Sequence, residues 1–271
     1  MKRVRYLMCP PAHFGVEYVI NPWMEGQIDA TSRELASRQW SQLHSILSNY
    51  AEVSLLKPVA GMPDMVFTAN AGLVRRGKAV LSSFRHPERQ PEERRFEAGL
   101  TAHGFQVEKL PRDTPFEGAG DALFDRQQPL LWFGHGIRSS AEARPFVERY
   151  LDVEAEPLQL RDSRFYHLDT CFCPLEGGYL LYFPAAFDEP TNRIIEARVP
   201  ACKRLAVSEQ DANYFACNAV NIGKTVIVNR ASEILKQQLQ SKSFVVVETP
   251  MTEFMKAGGA AKCLTLRLDE D

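Results

Sequence analysis

The sequence predicts an α/β ring built from five repeating strand–strand–helix–strand units. Three observations carry that reading. Five segments open on a phenylalanine, at Phe67, Phe116, Phe165, Phe215 and Phe254, spaced 49, 49, 50 and 39 residues apart. The same order of elements follows each of the first four, within about 40 to 50 residues. The fifth segment runs out of chain before its helix, and the N-terminus supplies the missing parts.

The elements follow in order. RVRYLMC, from Arg3, reads as a strand. Thr31 to Asn49 reads as a helix: Thr31 and Glu34 form a capping-box pattern, and Ala36, Trp40, Leu43 and Leu47 share one face. AEVSLLK, from Ala51, reads as a strand. After the first anchor, FTANAGLV, come a strand from Lys78 (KAVLSSF), a helix over Glu92 to His103 with Phe96 and Leu100 on one face, and a strand from Gly104 (GFQVEKL). After the second, FEGAGDALF, come PLLWFG, a helix near Ala141 to Leu151 and a strand near Glu156 to Leu160. The third, FYHLDTCFCPL, gives GYLLYF, a helix near Asn192 to Arg198 and KRLAVS. The fourth, FACNAVNIG, gives KTVIVN, ASEILKQQLQ and FVVVETP. The fifth, FMKAGGAAKCLTL, is completed by the N-terminal strand, helix and strand. Joining the two ends closes the ring and removes free sheet edges, a physical reason to join them. An ordinary α/β sandwich without pseudo-symmetry is the alternative. By length alone, 271 residues suit one large domain or two; five units use nearly all of it, so residues 1–271 read as one domain.

Composition narrows the function classes. Hydrophobic residues make up 45% and charged residues 24%, values ordinary for a globular chain. Lys plus Arg is 32 against 34 Asp plus Glu, a net charge of −2, so nothing pulls the whole molecule toward nucleic acid or acidic membranes. The N-terminal stretch is interrupted by Arg5 and ended by Pro10 and Pro11, unlike a targeting signal. The longest near-apolar run, Tyr179 to Phe187, is short of the roughly 20 residues of a membrane helix. The six cysteines therefore read as reduced thiols of a cytoplasmic protein. The partner expected is a small molecule, with no nucleic acid and no membrane; a homo-oligomer stays open.

The anchors carry the polar residues: Asp64 and Asn70, then Glu117 and Asp121, His167 and Asp169, Asn218, and Cys263. In a ring, equivalent positions face a common axis, so these distant residues converge. A buried polar group without a partner costs about 2–7 kcal/mol, so such a cluster is built around a polar ligand. Cys263 follows GGAAK, with Lys262 beside a thiol whose reactive form is the thiolate. His167 transfers protons near neutral pH, and Cys with His is the minimum for covalent catalysis. Asp64, Glu117 and Asp169 add acceptors that match the forked N–H donors of a guanidinium. The residues thus point to a Cys–His enzyme attacking a guanidinium carbon.

Each residue also has a plainer reading. Cys263 fits strand packing, as do Cys9, Cys202 and Cys217. His167 fits a satisfied core histidine, and Asp169 a turn or cap. Asp64 after Pro63 fits turn chemistry, and Asn70 and Asn218 fit backbone support in loops. His167, Cys171 and Cys173 alternate along a strand as metal ligands would, but no second Cys or His pair completes a tetrahedral site.

PDMVFTANAG, FEGAGDALF, FYHLDTCFCPL and GGAAKC resemble the motifs of the guanidine-modifying enzymes of the pentein fold, which include arginine deiminases, dimethylarginine dimethylaminohydrolases and amidinotransferases. With EYVINPWMEG and TEFMKAGGAAKCLTLR, the resemblance narrows to the catalytic domain of cyanobacterial arginine dihydrolases, from about Arg5 to Arg267. It implies a pentein, a five-bladed α/β propeller with five pseudo-symmetric ββαβ units around a central active site. It implies Cys263 as nucleophile, His167 as general acid and base, and Asp64, Glu117 and Asp169 around the guanidinium. Arginine deiminases usually carry a carboxylate where this chain has Asn70; the dihydrolases carry asparagine there, associated with going past citrulline. Asn21, Arg89 and Arg138 also match that branch. The arginines would suit the substrate carboxylate, and Asn21 would contact substrate or water. The implied reaction takes L-arginine to ornithine, two ammonia and carbon dioxide, with neither metal nor organic cofactor. A deiminase giving citrulline, a dimethylarginine hydrolase and a non-enzymatic pentein binding protein are the alternatives. The cyanobacterial proteins carry a second, C-terminal domain, and this chain stops at Asp271, so the resemblance bears on the guanidine chemistry alone.

Overall fold

A computed structural model describes residues 3–111 and 113–270. Its elements in chain order begin with β1 (Val4–Met8), α1 (Arg33–Tyr50) and β2 (Ala51–Leu55). Then come β3 (Gly72–Arg75), β4 (Lys78–Leu81), α2 (Glu93–Ala102) and β5 (Gln106–Glu108). The next unit holds β6 (Ala122–Phe124), β7 (Leu130–His135), α3 (Arg144–Leu151) and β8 (Glu154–Gln159). It is followed by β9 (Phe172–Leu175), β10 (Tyr179–Tyr182), α4 (Glu189–Arg198) and β11 (Arg204–Ala206). A short α5 (Glu209–Asn213) precedes β12 (Val220–Ile222), β13 (Thr225–Val228), α6 (Glu233–Ser241) and β14 (Val245–Glu248). A short α7 (Thr252–Met255) and β15 (Leu266–Arg267) complete the set.

The strands form five three-stranded sheets with one topology. In β3-β4-β5, β6-β7-β8, β9-β10-β11 and β12-β13-β14, the first pair is antiparallel and the second parallel, the parallel step crossing over through a helix. The fifth sheet, β15-β1-β2, repeats the pattern from both ends of the sequence: Tyr6 pairs Arg267, and Val4 pairs Ala51 in parallel. The five expected units are therefore all present, the last completed by the N-terminal strand.

The inner strands of all five sheets surround an axial cavity. Leu73 and Val74, Ala122 to Phe124, Phe172 to Pro174, Val220 and Asn221, and Leu266 and Arg267 line it. The helices lie outside, each burying an apolar face: Phe96 and Leu100 on α2, Val147 and Leu151 on α3, Leu235 and Leu239 on α6. The five anchor phenylalanines are all buried.

Two expectations change. Ring closure does not abolish sheet edges. The five sheets stay separate, linked across neighbouring units by isolated bridges such as Ser83 to Phe116 and Leu160 to Phe187. Helix and turn packing joins the units, and each sheet keeps an outer edge strand. The cap of α1 is Ser32, not Thr31: Ser32 Oγ accepts from Leu35 N at 3.3 Å, and Glu34 falls one position early for a capping box. Elsewhere α4 starts a turn earlier than its apolar pattern. Asp188 caps it by accepting from Thr191 N at 2.9 Å, and Pro190 suits the first turn.

The expected face of α1 is buried as read, with Ala36, Trp40, Leu43 and Leu47 packed in one core cluster with Phe14 and Phe254. Leu43→Ala is expected to cost about 2–5 kcal/mol in urea unfolding. Arg38→Ala, an exposed control on the same helix, should change it by about 0.5 kcal/mol or less.

Candidate active site

The polar anchor residues gather at one end of the inner strands because each sits in a tight turn just before its strand. Asp64 lies in the 3-10 turn Pro63–Val66, and Asn70 in Thr68–Ala71, which leads into β3. Glu117 precedes the turn Gly118–Gly120 and β6. His167 precedes Leu168–Thr170 and β9, and Asp169 lies within that turn. Thr68 Oγ1 donates to Leu7 O and Leu264 O, both at 2.9 Å, tying the first unit to the unit built from both termini.

A small cavity lies among these turns. Asn21, Asp64, Asn70, Arg89, Arg138, His167 and Cys263 line it, with Ile20, Met24, Phe67, Tyr166 and Ala257. Glu117 and Asp169, also expected at the site, stand one layer behind, both fully buried. All nine predicted residues are thus brought together, in two layers. Glycine makes room for them. A Cβ on Gly120 would lie 2.3 Å from the Asn70 amide nitrogen and 3.3 Å from the His167 ring. Gly258, at φ +83°, would press Tyr166 Oη at 2.7 Å.

Cys263 Sγ lies 3.6 Å from both carboxylate oxygens of Asp169. Asn218 holds the pair: its Nδ2 donates to Sγ at 3.1 Å and to Asp169 O at 3.0 Å, and its Oδ1 accepts from Cys263 N and Ala260 N. Burial, and next the Asp169 charge, push the Cys263 thiol well above its ordinary range, which favours the protonated thiol. Burial also pushes Asp169 up, opposed first by Lys262.

His167 Nε2 meets Glu117 Oε2 at 2.6 Å, and Arg138 Nη1 donates to the same oxygen at 3.1 Å. Burial alone would raise Glu117, but Arg138, then the His167 hydrogen bond, outweigh it and hold the carboxyl well below the usual carboxylate range. Glu117 is therefore an ionised partner that orients the imidazole. Asp121 braces the same turns. It accepts from Ser139 Oγ at 2.6 Å and from Leu168 N at 3.0 Å, and burial pushes its carboxyl up to about 6.

Asp64 Oδ2 accepts from Tyr18 Oη at 2.8 Å, whereas its buried Oδ1 has no hydrogen-bond partner among the described residues. An unpaired carboxylate oxygen in a polar cavity is the acceptor a cationic ligand would use. Arg89 lies beside it, donating to Glu92 through Nε at 3.2 Å and Nη2 at 2.8 Å, to Asn70 Oδ1 at 3.0 Å and to Asp64 O at 3.2 Å. Protein acceptors thus engage most of its N–H groups. Arg138 keeps more free: besides Glu117 it donates to Ile20 O at 2.7 Å and stacks on Tyr166 at 4.5 Å. Asn21 caps the turn Pro22–Met24 and donates to Ala257 O at 3.1 Å.

The zinc alternative finds no geometry. Cys171 Sγ donates to Leu168 O and Cys173 Sγ to Ala219 O, while His167 Nε2 pairs with Glu117. Among the described residues no group of three or more His, Cys, Asp or Glu is placed to hold a metal ion. Five of the cysteines are buried, Cys202 is exposed, and all six are free thiols. No helix among the described residues is long and apolar enough to cross a membrane. Sequence reading missed Tyr18 and Tyr166. Tyr166 directly precedes His167, and Tyr18 stands three residues before Asn21 in the same motif.

Comparison with known proteins places this geometry. The family model described as N,N dimethylarginine dimethylhydrolase, eukaryotic, matches residues 19–269. The chain belongs to that family. The dimethylarginine dimethylaminohydrolase of Mycobacterium tuberculosis is 35% identical to this family member, over 97% of this chain and 85% of that protein. The bifunctional arginine dihydrolase/ornithine cyclodeaminase ArgZ of Synechocystis is 58% identical over 98% of the chain, which spans 38% of ArgZ. The crystal structure of the N-terminal domain of ArgZ, a cysteine-to-serine mutant bound to substrate, superposes with a TM-score of 0.98. It is 57% identical and covers 98% of each chain. The fold of this family member is the pentein fold, its five sheets matching the five expected ββαβ units.

Proposed function

We propose that this chain hydrolyses the guanidinium of L-arginine through a covalent adduct on Cys263, giving ornithine, two ammonia and carbon dioxide. One observation carries the chemistry. A buried thiol, held by Asn218 and Asp169, shares a cavity with the unpaired Asp64 Oδ1 and a Glu117-oriented histidine. The likeness to the ArgZ domain over nearly the whole of both chains favours arginine as substrate.

In this reading the incoming guanidinium hydrogen-bonds to Asp64 Oδ1 and brings a positive charge beside Cys263 that favours the thiolate. Cys263 Sγ passes its proton to the Asp169 carboxylate, 3.6 Å away, and adds to the guanidinium carbon. The tetrahedral adduct collapses as His167 gives a proton to the departing amine, and the first ammonia leaves a thiouronium. His167 then takes a proton from the water that adds to the same carbon. If the C–S bond breaks next, citrulline is released. If a second ammonia leaves instead, a thiocarbamate remains on Cys263. A second water displaces the thiolate from it, and the resulting carbamate loses carbon dioxide to give ornithine. Two waters enter in all, balancing two ammonia and one carbon dioxide.

Asn70 is the residue proposed to favour the second branch. Its Nδ2 donates to Glu117 O at 3.1 Å and its Oδ1 accepts from Arg89, so a neutral amide is fixed beside the reacting carbon's pocket. A carboxylate there would instead favour a cation. We further propose that residues 1–271 act as one catalytic domain, with no nucleic-acid or membrane partner.

The family model and the Mycobacterium tuberculosis relative favour a second reading, hydrolysis of dimethylarginine to citrulline and dimethylamine. Product counting separates the two. Ornithine with two ammonia per L-arginine is expected; citrulline with one ammonia would refute the dihydrolase reading, and preferential turnover of dimethylarginine would establish the second. Asn70→Asp and Asn70→Ser are each expected to raise the citrulline share several-fold, read by amino-acid chromatography. An unchanged ratio would remove Asn70 from that role.

A further inference from the structure

We propose that Lys262 is a positioning residue: from the axial side of the ring it keeps the Asp169 carboxylate charged and turned toward Cys263. The inference rests on reading Cys263 as the nucleophile. Lys262 and Cys263 are adjacent in sequence but face different spaces. Cys263 lines the substrate cavity, whereas Lys262 lines the axial cavity on the inner-strand side, together with Ala119. The lysine therefore touches no substrate.

What it touches is Asp169. Lys262 Nζ donates to Ala119 O at 2.6 Å and stands 3.5 Å from Asp169 Oδ2. The Asp169 side chain is 0% exposed and that of Lys262 is 19% exposed. The contact thus joins a dry carboxylate to a cation that the axial cavity can hydrate from behind. Asn218 fixes the backbone of Asp169, but among the described residues the carboxylate oxygens have only Cys263 Sγ and Lys262 Nζ as hydrogen-bonding neighbours. Without the lysine, a fully buried carboxylate would have a thiol as its one donor, and such a group takes up a proton. A protonated Asp169 would not receive the thiol proton. Lys262 also lowers the pKa of both Asp169 and Cys263. The other charged or titratable groups near this trio include His167 and Tyr166 on the substrate side, Glu270 and Cys173 on the axial side, and buried Cys171 beside Asp169.

The test follows iodoacetamide alkylation of Cys263 in the free enzyme as pH is varied. It is read on the Cys263 peptide by mass spectrometry, because exposed Cys202 also reacts. Lys262→Met is expected to move the profile down by about one pH unit, an about tenfold faster reaction at a given pH, because a protonated Asp169 no longer opposes the thiolate. Its kcat on arginine should fall about tenfold or more with KM nearly unchanged. Lys262→Arg, which keeps the charge, should stay within about threefold of wild type on both readouts. If Lys262→Met loses its folded circular dichroism signal, Lys262→Gln takes its place with the same expectations. A neutral variant whose alkylation profile superposes on wild type, or an arginine variant as impaired as the neutral one, would overturn the proposal. Wild-type protein that leaves arginine unconverted would overturn the function reading alone, since the alkylation profiles decide Lys262 without turnover.

Discussion

Replacing Cys263 with serine is expected to lower kcat on L-arginine by about 10⁴-fold or more while leaving the fold intact. The site is hard on a nucleophile. Burial and Asp169 already push the thiol well above its ordinary range, and only a bound cation brings the thiolate within reach. A serine hydroxyl is far less acidic and has no comparable route to its anion. Its size and polarity nonetheless suit the pocket. Asn218 Nδ2, now 3.1 Å from Sγ, keeps an acceptor, and Asn218 Oδ1 still accepts from the backbone N–H of residue 263. The variant should therefore bind arginine in titration calorimetry and unfold at the wild-type urea midpoint while making no measurable ornithine. Activity within tenfold of wild type would take the nucleophile role away from Cys263 and move the search to another group lining the cavity.

The ring was legible because its repeats are marked by large buried anchors. Phe67, Phe116, Phe165, Phe215 and Phe254 each begin a turn that must be apolar on one side and polar on the other, and that conflict shows in sequence. The same logic exposed Asn70, Glu117, His167, Asp169 and Cys263: polar residues recurring at one point of an otherwise apolar repeat have to converge. What stayed hidden depends on three-dimensional choice between near-equal options. Thr31 and Ser32 are both good caps, and the chain's approach to α1, not the residue type, selects Ser32. Whether five sheets merge or stay apart is set by strand twist and by turns that leave only single bridges between units. The layering of the site was equally invisible. The salt bridge of Arg138 to Glu117 and the fork of Arg89 on Glu92 could not be read from spacing, though both arginines line the cavity. Tyr18 and Tyr166 carry polarity on aromatic rings, which a scan for charged and amide residues passes over.

Glu117→Gln carries the other large expected effect, and it separates positioning from binding. Glu117 Oε2 accepts from both His167 and Arg138, and Oε1 accepts from Arg85 N at 3.3 Å. Glutamine offers one oxygen in place of two. Its amide nitrogen must then face Arg85 N–H or the Arg138 and His167 donors, and Arg138, with a side chain 2% exposed, loses its anion. Breaking one partner of such a buried pair costs about 3–5 kcal/mol. Losing an oriented acid–base group costs about 10²–10⁴ in kcat. Glu117 does not line the cavity, so KM should change little while kcat falls. The pH dependence has a definite sign. A carboxyl whose folded pKa is depressed adds stability that is fully present above its unfolded value, near 4.5, and is lost as pH falls through the folded one. The stability gap between wild type and Glu117→Gln should therefore be widest at pH 6–7 and narrow as pH drops below about 4. Urea midpoints at pH 7 and pH 3 measure it. Equal stability at pH 7, or a kcat within about threefold, would show that the buried Glu117–His167–Arg138 cluster neither supports the fold nor aims the histidine.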